Sequence, residues 1–321
     1  MSISDRYLSG NPFEIDELAC YQSARQISKY DPKLQETPWG GVSQESHLIF
    51  KLAVVSICHQ INWEFLQRRL AEKLLVYHEK DLVKKIANIS SREIGEWFGD
   101  YHRPERIRAS ERASLLRNIG KVLQDNWHMR ALSIFESCDG RLGGQNGFLE
   151  LLDCFTAYRE DSLRKKTNVL VHDLVRQRIL SFTDMENIEP AIDYHIIRLY
   201  LRTGKVLTSR SVIFEQLKGL PRPRPRLVRV LRSTVAEALR LTANYAKLTI
   251  PDVNYIEWQI GRSICLNEHP LCVCSSCDTS IVEDVAVLFS GSCPYDSCCW
   301  ALRTDRDWLN LQEPKYEKSY Y

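Results

Sequence analysis

Apolar side chains recur every three or four residues along most of the chain, which is the pattern of amphipathic helices. The pattern is clearest in residues 48–75, where Leu48, Leu52 and Val55 are followed by Phe65 and Leu66. Further helices are predicted at residues 81–89, 91–98, 110–124, 148–155, 162–179, 193–203 and 228–245. Alternating patterns typical of strands are nearly absent, so we expect a mostly α-helical fold.

The length and the breaks in this pattern predict two helical lobes. With 321 residues, the chain is long enough to bury a full core. A glycine-rich turn, "DGRLGGQNG", interrupts the helices after Cys138. We expect three stretches: residues 1–72, an N-terminal arm and core helix that pack with the C-terminal half; residues 73–204, a central helical lobe; and residues 205–321, a C-terminal lobe with a cysteine-rich metal-binding segment.

The charge is close to balanced overall but uneven along the chain. The formal net charge of +2 does not by itself indicate a polyanionic partner. However, "GLPRPRPRLVRVLR" places five arginines between Arg222 and Arg232. Such a concentration is typical of a phosphate-binding surface, and equally of a solvated, proline-stiffened link. Both interpretations stay open.

Nothing in the sequence predicts export or a membrane span. The first ten residues lack the basic start and apolar core of a signal peptide. The most apolar window, residues 48–63, is interrupted by Lys51, His59, Gln60 and Asn62. We therefore expect a cytoplasmic protein with no membrane partner, and we infer no obligate protein partner.

Seven of the eleven cysteines lie between Cys265 and Cys299. In a chain without an export signal, such clustering predicts a metal site before disulfides. Two ligand sets are compatible with the spacing. A tetrahedral zinc site would use Cys274, Cys277, Cys293 and Cys298, whereas an iron–sulfur cluster would use Cys265, Cys272 and two downstream cysteines.

Asp193 stands at the head of the amphipathic run "EPAIDYHIIRLYLRTG". An aspartate at the start of a helix commonly caps it. A fixed, partly desolvated carboxylate there could also act in catalysis, and the two roles can coexist.

Four segments, in order, resemble the endonuclease III branch of the helix-hairpin-helix DNA glycosylases. They are "LAVVSICHQINWEFLQRRL", "SLRKKTNVLVHDL", "AIDYHIIRLYLRTG" and "IEWQIGRSICLNEHPLC", and they span about seven-tenths of the chain. The hairpin signature Leu-Pro-Gly-Val-Gly of that family is replaced here by "CFTAYREDSLR". The family's cysteine rhythm, Cys-x6-Cys-x2-Cys-x5-Cys, matches at Cys265 and Cys272 and then departs.

The resemblance implies a DNA N-glycosylase that excises a damaged or modified base from double-stranded DNA, in repair or in defence against modified phage DNA. Asp193 would stabilise the oxocarbenium-like sugar, and Lys166 would be a Schiff-base nucleophile in a bifunctional enzyme. The expected substrate-binding residues are Gln60, Asn62, Trp63, His195 and Arg198. The expected ligands of a [4Fe–4S] cluster, or alternatively of zinc, are Cys265, Cys272, Cys277 and Cys293.

A second resemblance, to the queuosine salvage proteins, involves "YREDSLRKKTNVLVHDL" and "IDYHIIRLYLRTGKV". It implies a nucleotide N-ribohydrolase that would not depend on duplex DNA. A third hypothesis is a nucleic-acid-binding protein without catalytic activity, in which Asp193 only caps its helix.

Overall fold

The computed structural model describes residues 11–30, 41–209, 211–219, 225–268, 270–273 and 292–312. Helices dominate these ranges, and the prediction of a mostly α-helical chain is confirmed. The strands found there, β1 (Glu14–Ile15) and β2 (Val206–Leu207), form one short antiparallel pair. No helix in the described ranges is both long enough and apolar enough to span a bilayer.

The chain divides into two compact units. The described residues of the terminal unit lie within Met1–Lys33 and Glu189–Glu317, and those of the central unit within Leu34–Ile188. These boundaries fall after residues 33 and 188, whereas the sequence predicted boundaries after residues 72 and 204. Residues 44–72 therefore belong to the central unit, and the helix that follows Asp193 belongs to the terminal unit.

The central unit is built from nine described α-helices. They are α2 (Gln44–Ser56), α3 (Trp63–Leu74), α4 (Glu79–Ala87), α5 (Ser91–Trp97), α6 (Ala109–Asn126), α7 (Leu132–Ser137), α8 (Phe148–Leu151), α9 (Thr156–Arg159) and α10 (Lys165–Arg176). Each predicted helix of this region overlaps at least one of them, and the apolar stretch at 48–75 overlaps two, α2 and α3; α7 and α9 were not predicted. The predicted helix at 148–155 is a short α-helix followed by a 3-10 turn, Leu152–Cys154.

Helix α2 forms the core of the central unit. It begins at the cap Ser43, and every residue from Glu45 to Ser56 is buried. Helices α3, α4, α6 and α10 pack around it. A helix with apolar side chains on all sides needs neighbours on all sides. These four helices supply such neighbours within the central unit.

The terminal unit combines both ends of the described chain. Its α-helices are α1 (Glu17–Ile27), α11 (Tyr194–Thr203), α12 (Ser211–Gly219), α13 (Pro225–Ala246), α14 (Ile250–Ser263) and α15 (Trp300–Arg303). Helix α1 packs along α13, and α11 packs against α13, α14 and α15. The expected N-terminal arm is thus in part a helix packed on the C-terminal half. This unit positions both Asp193 and the cysteines.

Candidate functional site

The extended segment before α11 is held by side chains from two other helices. Asn254 of α14 accepts a hydrogen bond from the backbone N–H of Ala191 (2.7 Å) and donates one to its carbonyl (3.3 Å). Arg232 of α13 donates to the carbonyl of Ile192 (3.4 Å). The backbone is therefore fixed on both helices immediately before Asp193.

Asp193 is the N-cap of α11, and its side chain has a second partner in addition to the cap. The backbone at Asp193 is extended, and Oδ1 accepts a hydrogen bond from the N–H of Ile196 (3.0 Å). Oδ2 accepts from the indole Nε1–H of Trp258 on α14 (3.1 Å). The side chain is 7% exposed. Asp193 therefore caps the helix, but the cap bond uses only one of its two carboxylate oxygens.

The carboxylate of Asp193 is buried without a cationic side chain to balance it. Both of its hydrogen-bond donors are neutral, and no Lys, Arg or His among the described residues forms an ion pair with it. A buried charge without a counter-ion costs several kcal/mol unless other groups stabilise it. The N-terminus of α11 supplies part of that stabilisation. The described residues supply no positive side chain to this carboxylate.

Arg198 lies inside the terminal unit. Its side chain is 2% exposed, and it donates to the carbonyls of Cys265 (2.8 Å) and Gly261 (2.7 Å). It also bonds the Nδ1 atom of half-buried His195 (3.0 Å). Because a guanidinium can only donate, Nδ1 accepts, and a neutral His195 ring then bears its proton on Nε2. Arg198 thus joins α11 to the end of α14.

Lys166 lies in the first turn of α10 in the central unit and is 1% exposed. Its ammonium donates to the carbonyl of Ser56, at the end of α2. Burial lowers the pKa of Lys166 from its ordinary 10.5 to about 8; neighbouring Cys58 partly opposes this, and the charge of Lys165 adds to it. A pKa near 8 makes the neutral amine, the form needed for nucleophilic attack, accessible close to physiological pH.

The remaining predicted substrate-binding residues lie in the link after α2 and at the start of α3. Gln60 is half-buried in a left-handed conformation (φ 54°). Asn62 is exposed and caps α3, because its Oδ1 accepts from the N–H of Phe65 (2.8 Å). Trp63 is the first residue of α3 and is half-buried. The cap therefore engages one polar atom of Asn62.

Four cysteines of the terminal unit lie within electrostatic range of one another. Burial and then the charge of Cys265 raise the pKa of Cys272 to about 11. Burial and then Cys265 and Cys272 raise the pKa of Cys299 to about 12. The pKa of Cys293 is raised further, by burial and by all three others. Cys277 and Cys274 lie outside the described residues.

This group differs from the predicted ligand set by including Cys299. The intervals between Cys265, Cys272, Cys293 and Cys299 are six, twenty and five residues. The first and last intervals are those of the family rhythm, and only the middle one is longer. The five-residue interval after Cys293 was the sequence signal that points to Cys299 instead of Cys298. Burial raises the pKa of Cys298, and Lys205 and Ser23 lower it by smaller amounts. None of the other cysteines contributes to this shift.

The chemistry of these thiols fits a [4Fe–4S] cluster or zinc. The four sulfurs are the right donors in the right number for either group. Arg202 of α11 lies next to them, and its Nη1 donates to the Sγ of Cys265 (3.6 Å). Yet no three His, Cys, Asp or Glu side chains in the described parts of the chain are grouped closely enough to hold a metal ion.

Comparison of the chain with models of known protein families finds no match, and neither does a search of curated proteins. The functional interpretation therefore depends on the site itself.

Proposed function

We propose that this protein is a DNA N-glycosylase in which Asp193 is the catalytic carboxylate. The observation that carries the proposal is the burial of this carboxylate between two neutral donors, with no ion-pair partner among the described residues. Cleavage of an N-glycosidic bond develops positive charge on the sugar as the base leaves. Asp193 would supply the negative charge that this transition state requires.

In the proposed mechanism the carboxylate contributes in two ways. It stabilises the oxocarbenium-like sugar electrostatically, and it does so without reorganisation because the Ile196 and Trp258 donors already fix it. It also orients the attacking water and accepts a proton from it. Each oxygen of Asp193 accepts one hydrogen bond in the structure, so each keeps acceptor capacity for that water.

The surface of α13 supports nucleic acid as the substrate. Arg226 and Arg229 are three residues apart near the start of this helix, and both are exposed. Exposed arginines on one helix face are typical phosphate contacts. Arg232, from the next turn, reaches Ile192, directly before the catalytic carboxylate. The helix that would contact phosphates therefore also fixes the backbone beside Asp193.

The cysteine group would hold a [4Fe–4S] cluster or zinc through Cys265, Cys272, Cys293 and Cys299. Such a centre would cross-link the end of α14 to the start of α15. Because α14 also carries Trp258 and Asn254, we propose that the centre stabilises the helix that holds the carboxylate. It takes no part in the reaction steps above.

The proposal is tested by incubating the protein with duplexes that carry a panel of damaged or hypermodified bases, with free nucleotides as a parallel substrate set. We expect release of a free base from at least one duplex. Release from free nucleotides alone would indicate a nucleotide N-ribohydrolase, and duplex binding without release would indicate a binding protein; either result would overturn the proposal.

Lys166 decides whether the enzyme also cleaves the strand. If its amine forms a Schiff base, borohydride reduction during the reaction will trap a covalent protein–DNA complex in the wild type but not in Lys166→Ala. Base release without trapping would show that water is the nucleophile and that Asp193 acts alone.

A further inference from the structure

Among the residues that the structure describes, Trp258 is the one partner of the Asp193 side chain that comes from another helix. Its indole Nε1–H donates to Oδ2 (3.1 Å) across an interval of 65 residues in sequence. The cap bond from Ile196 holds only Oδ1, and the terminal torsion of an aspartate has a broad energy minimum. A second bond, from a different direction, is what fixes the plane of the carboxylate.

We propose that Trp258 is a positioning residue that sets the orientation of the Asp193 carboxylate. This inference rests on the proposed function for its catalytic consequence, but the contact itself can be measured without it. An indole N–H donates and cannot accept, and it is neutral. Trp258 therefore orients the carboxylate without competing for its proton and without neutralising its charge, as an arginine or lysine at this place would.

One face of α14 contacts the segment that contains Asp193. Asn254, Trp258 and Gly261 are spaced i, i+4 and i+7, so they share one side of the helix. Asn254 holds Ala191, and Trp258 holds Asp193. At Gly261 a Cβ atom would lie 2.7 Å from the carbonyl oxygen of His195, so the absence of a side chain permits the close approach of α14 to α11.

The indole ring is itself held in place. The guanidinium of Arg262 lies 4.2 Å from the centre of the Trp258 ring, and its Nε donates to the Oε1 of Gln259 (2.8 Å). Gln259 is buried, so Arg262 is anchored to the body of the helix. A cation over an indole face is attracted to the ring and draws electron density from it, which strengthens the N–H as a donor. Arg262 thus restricts the ring and reinforces its bond to Asp193.

The matched substitution is Trp258→Phe, which keeps an aromatic ring for Arg262 and removes the donor. We expect kcat for base release to fall about 10–100-fold, because the carboxylate is no longer fixed in its productive orientation. KM and duplex affinity should stay within about twofold, because phosphate contacts do not involve this bond. Trp97→Phe, in the central unit, controls for loss of a tryptophan. A Trp258→Phe variant with wild-type kcat would overturn the inference.

A spectroscopic measurement tests the contact whether or not any substrate is found. Comparing ¹H–¹⁵N spectra of the wild type and Trp258→Phe identifies the indole N–H signal of Trp258 in the full-length protein. We expect Asp193→Asn to shift that signal, because an amide can present its own N–H₂ to the indole donor. Asp16→Asn, which alters the equivalent cap of α1, should leave it in place. An unmoved signal in Asp193→Asn would refute the contact, whereas a shifted signal with no base release from any substrate would refute only the glycosylase proposal.

Discussion

Burial of Lys166 predicts a measurable dependence of stability on pH. The fall of its pKa from 10.5 to about 8 corresponds, at about 1.4 kcal/mol for each pH unit, to roughly 3 kcal/mol of destabilisation of the charged form in the folded state. Between these two pKa values the unfolded chain binds more protons than the native one. This residue's unfavourable contribution to the free energy of unfolding is therefore fully present below pH 8 and is relieved as the pH rises from 8 to 10.5.

The substitution that isolates this effect is Lys166→Met, which keeps an unbranched side chain of similar length and removes the charge. At pH 7 it should stabilise the protein by about 1–2 kcal/mol, because relief of the burial cost exceeds the cost of leaving the Ser56 carbonyl without its donor. The gain should shrink as the pH approaches 10. Exposed Lys121→Met is the matched control and should show neither effect.

The assay is urea unfolding of the wild type and both variants at pH 7, 8, 9 and 10. Taking the difference between wild type and variant removes contributions from other groups that titrate in this range, such as the cysteines of the terminal unit. A difference that does not change with pH, or a Lys166→Met variant less stable than the wild type by several kcal/mol at pH 7, would refute the view that Lys166 is held at an energetic cost.

Three further predictions concern the terminal unit. Gly261→Ala should destabilise it by about 1–3 kcal/mol, because the new methyl group collides with the backbone of α11; an unchanged urea midpoint would contradict the close packing. Glu257→Gln should cost about 3–5 kcal/mol in the same measurement, because it leaves the ammonium of Lys205 buried without its partner, and a loss below about 1 kcal/mol would show that this ion pair is not essential. Cys299→Ala should abolish stoichiometric binding of iron or zinc, measured by elemental analysis of anaerobically purified protein, while the adjacent Cys298→Ala retains it; the opposite result would exchange the two assignments.

The helices were predictable because their apolar spacing is a local property of the sequence. The same pattern showed that α2 is apolar on most sides, but not which helices surround it. Its neighbours α6 and α10 lie some 60 to 120 residues further along the chain. The boundary of the central unit therefore could not be read from spacing alone.

The cap at Asp193 was predictable, but the hydrogen bond from Trp258 was not. Asp193 stands out because a single acidic residue precedes an amphipathic helix, and the cap follows from that position. Trp258 and Asn254 form part of the site only because α14 packs against α11, and no local pattern marks a tryptophan as a hydrogen-bond donor. The burial of Arg198 could not be read from the sequence for the same reason, because it depends on packing against α14.

Whether Asp193 is catalytic and not merely a helix cap is tested most directly by single-turnover base release in the Asp193→Asn and Asp16→Asn variants. Asparagine caps helices about as well as aspartate, so both variants should fold and bind duplex DNA like the wild type. We expect Asp193→Asn to slow base release about 10²–10³-fold and Asp16→Asn to leave the rate unchanged. Equal rates in the two variants would contradict this expectation.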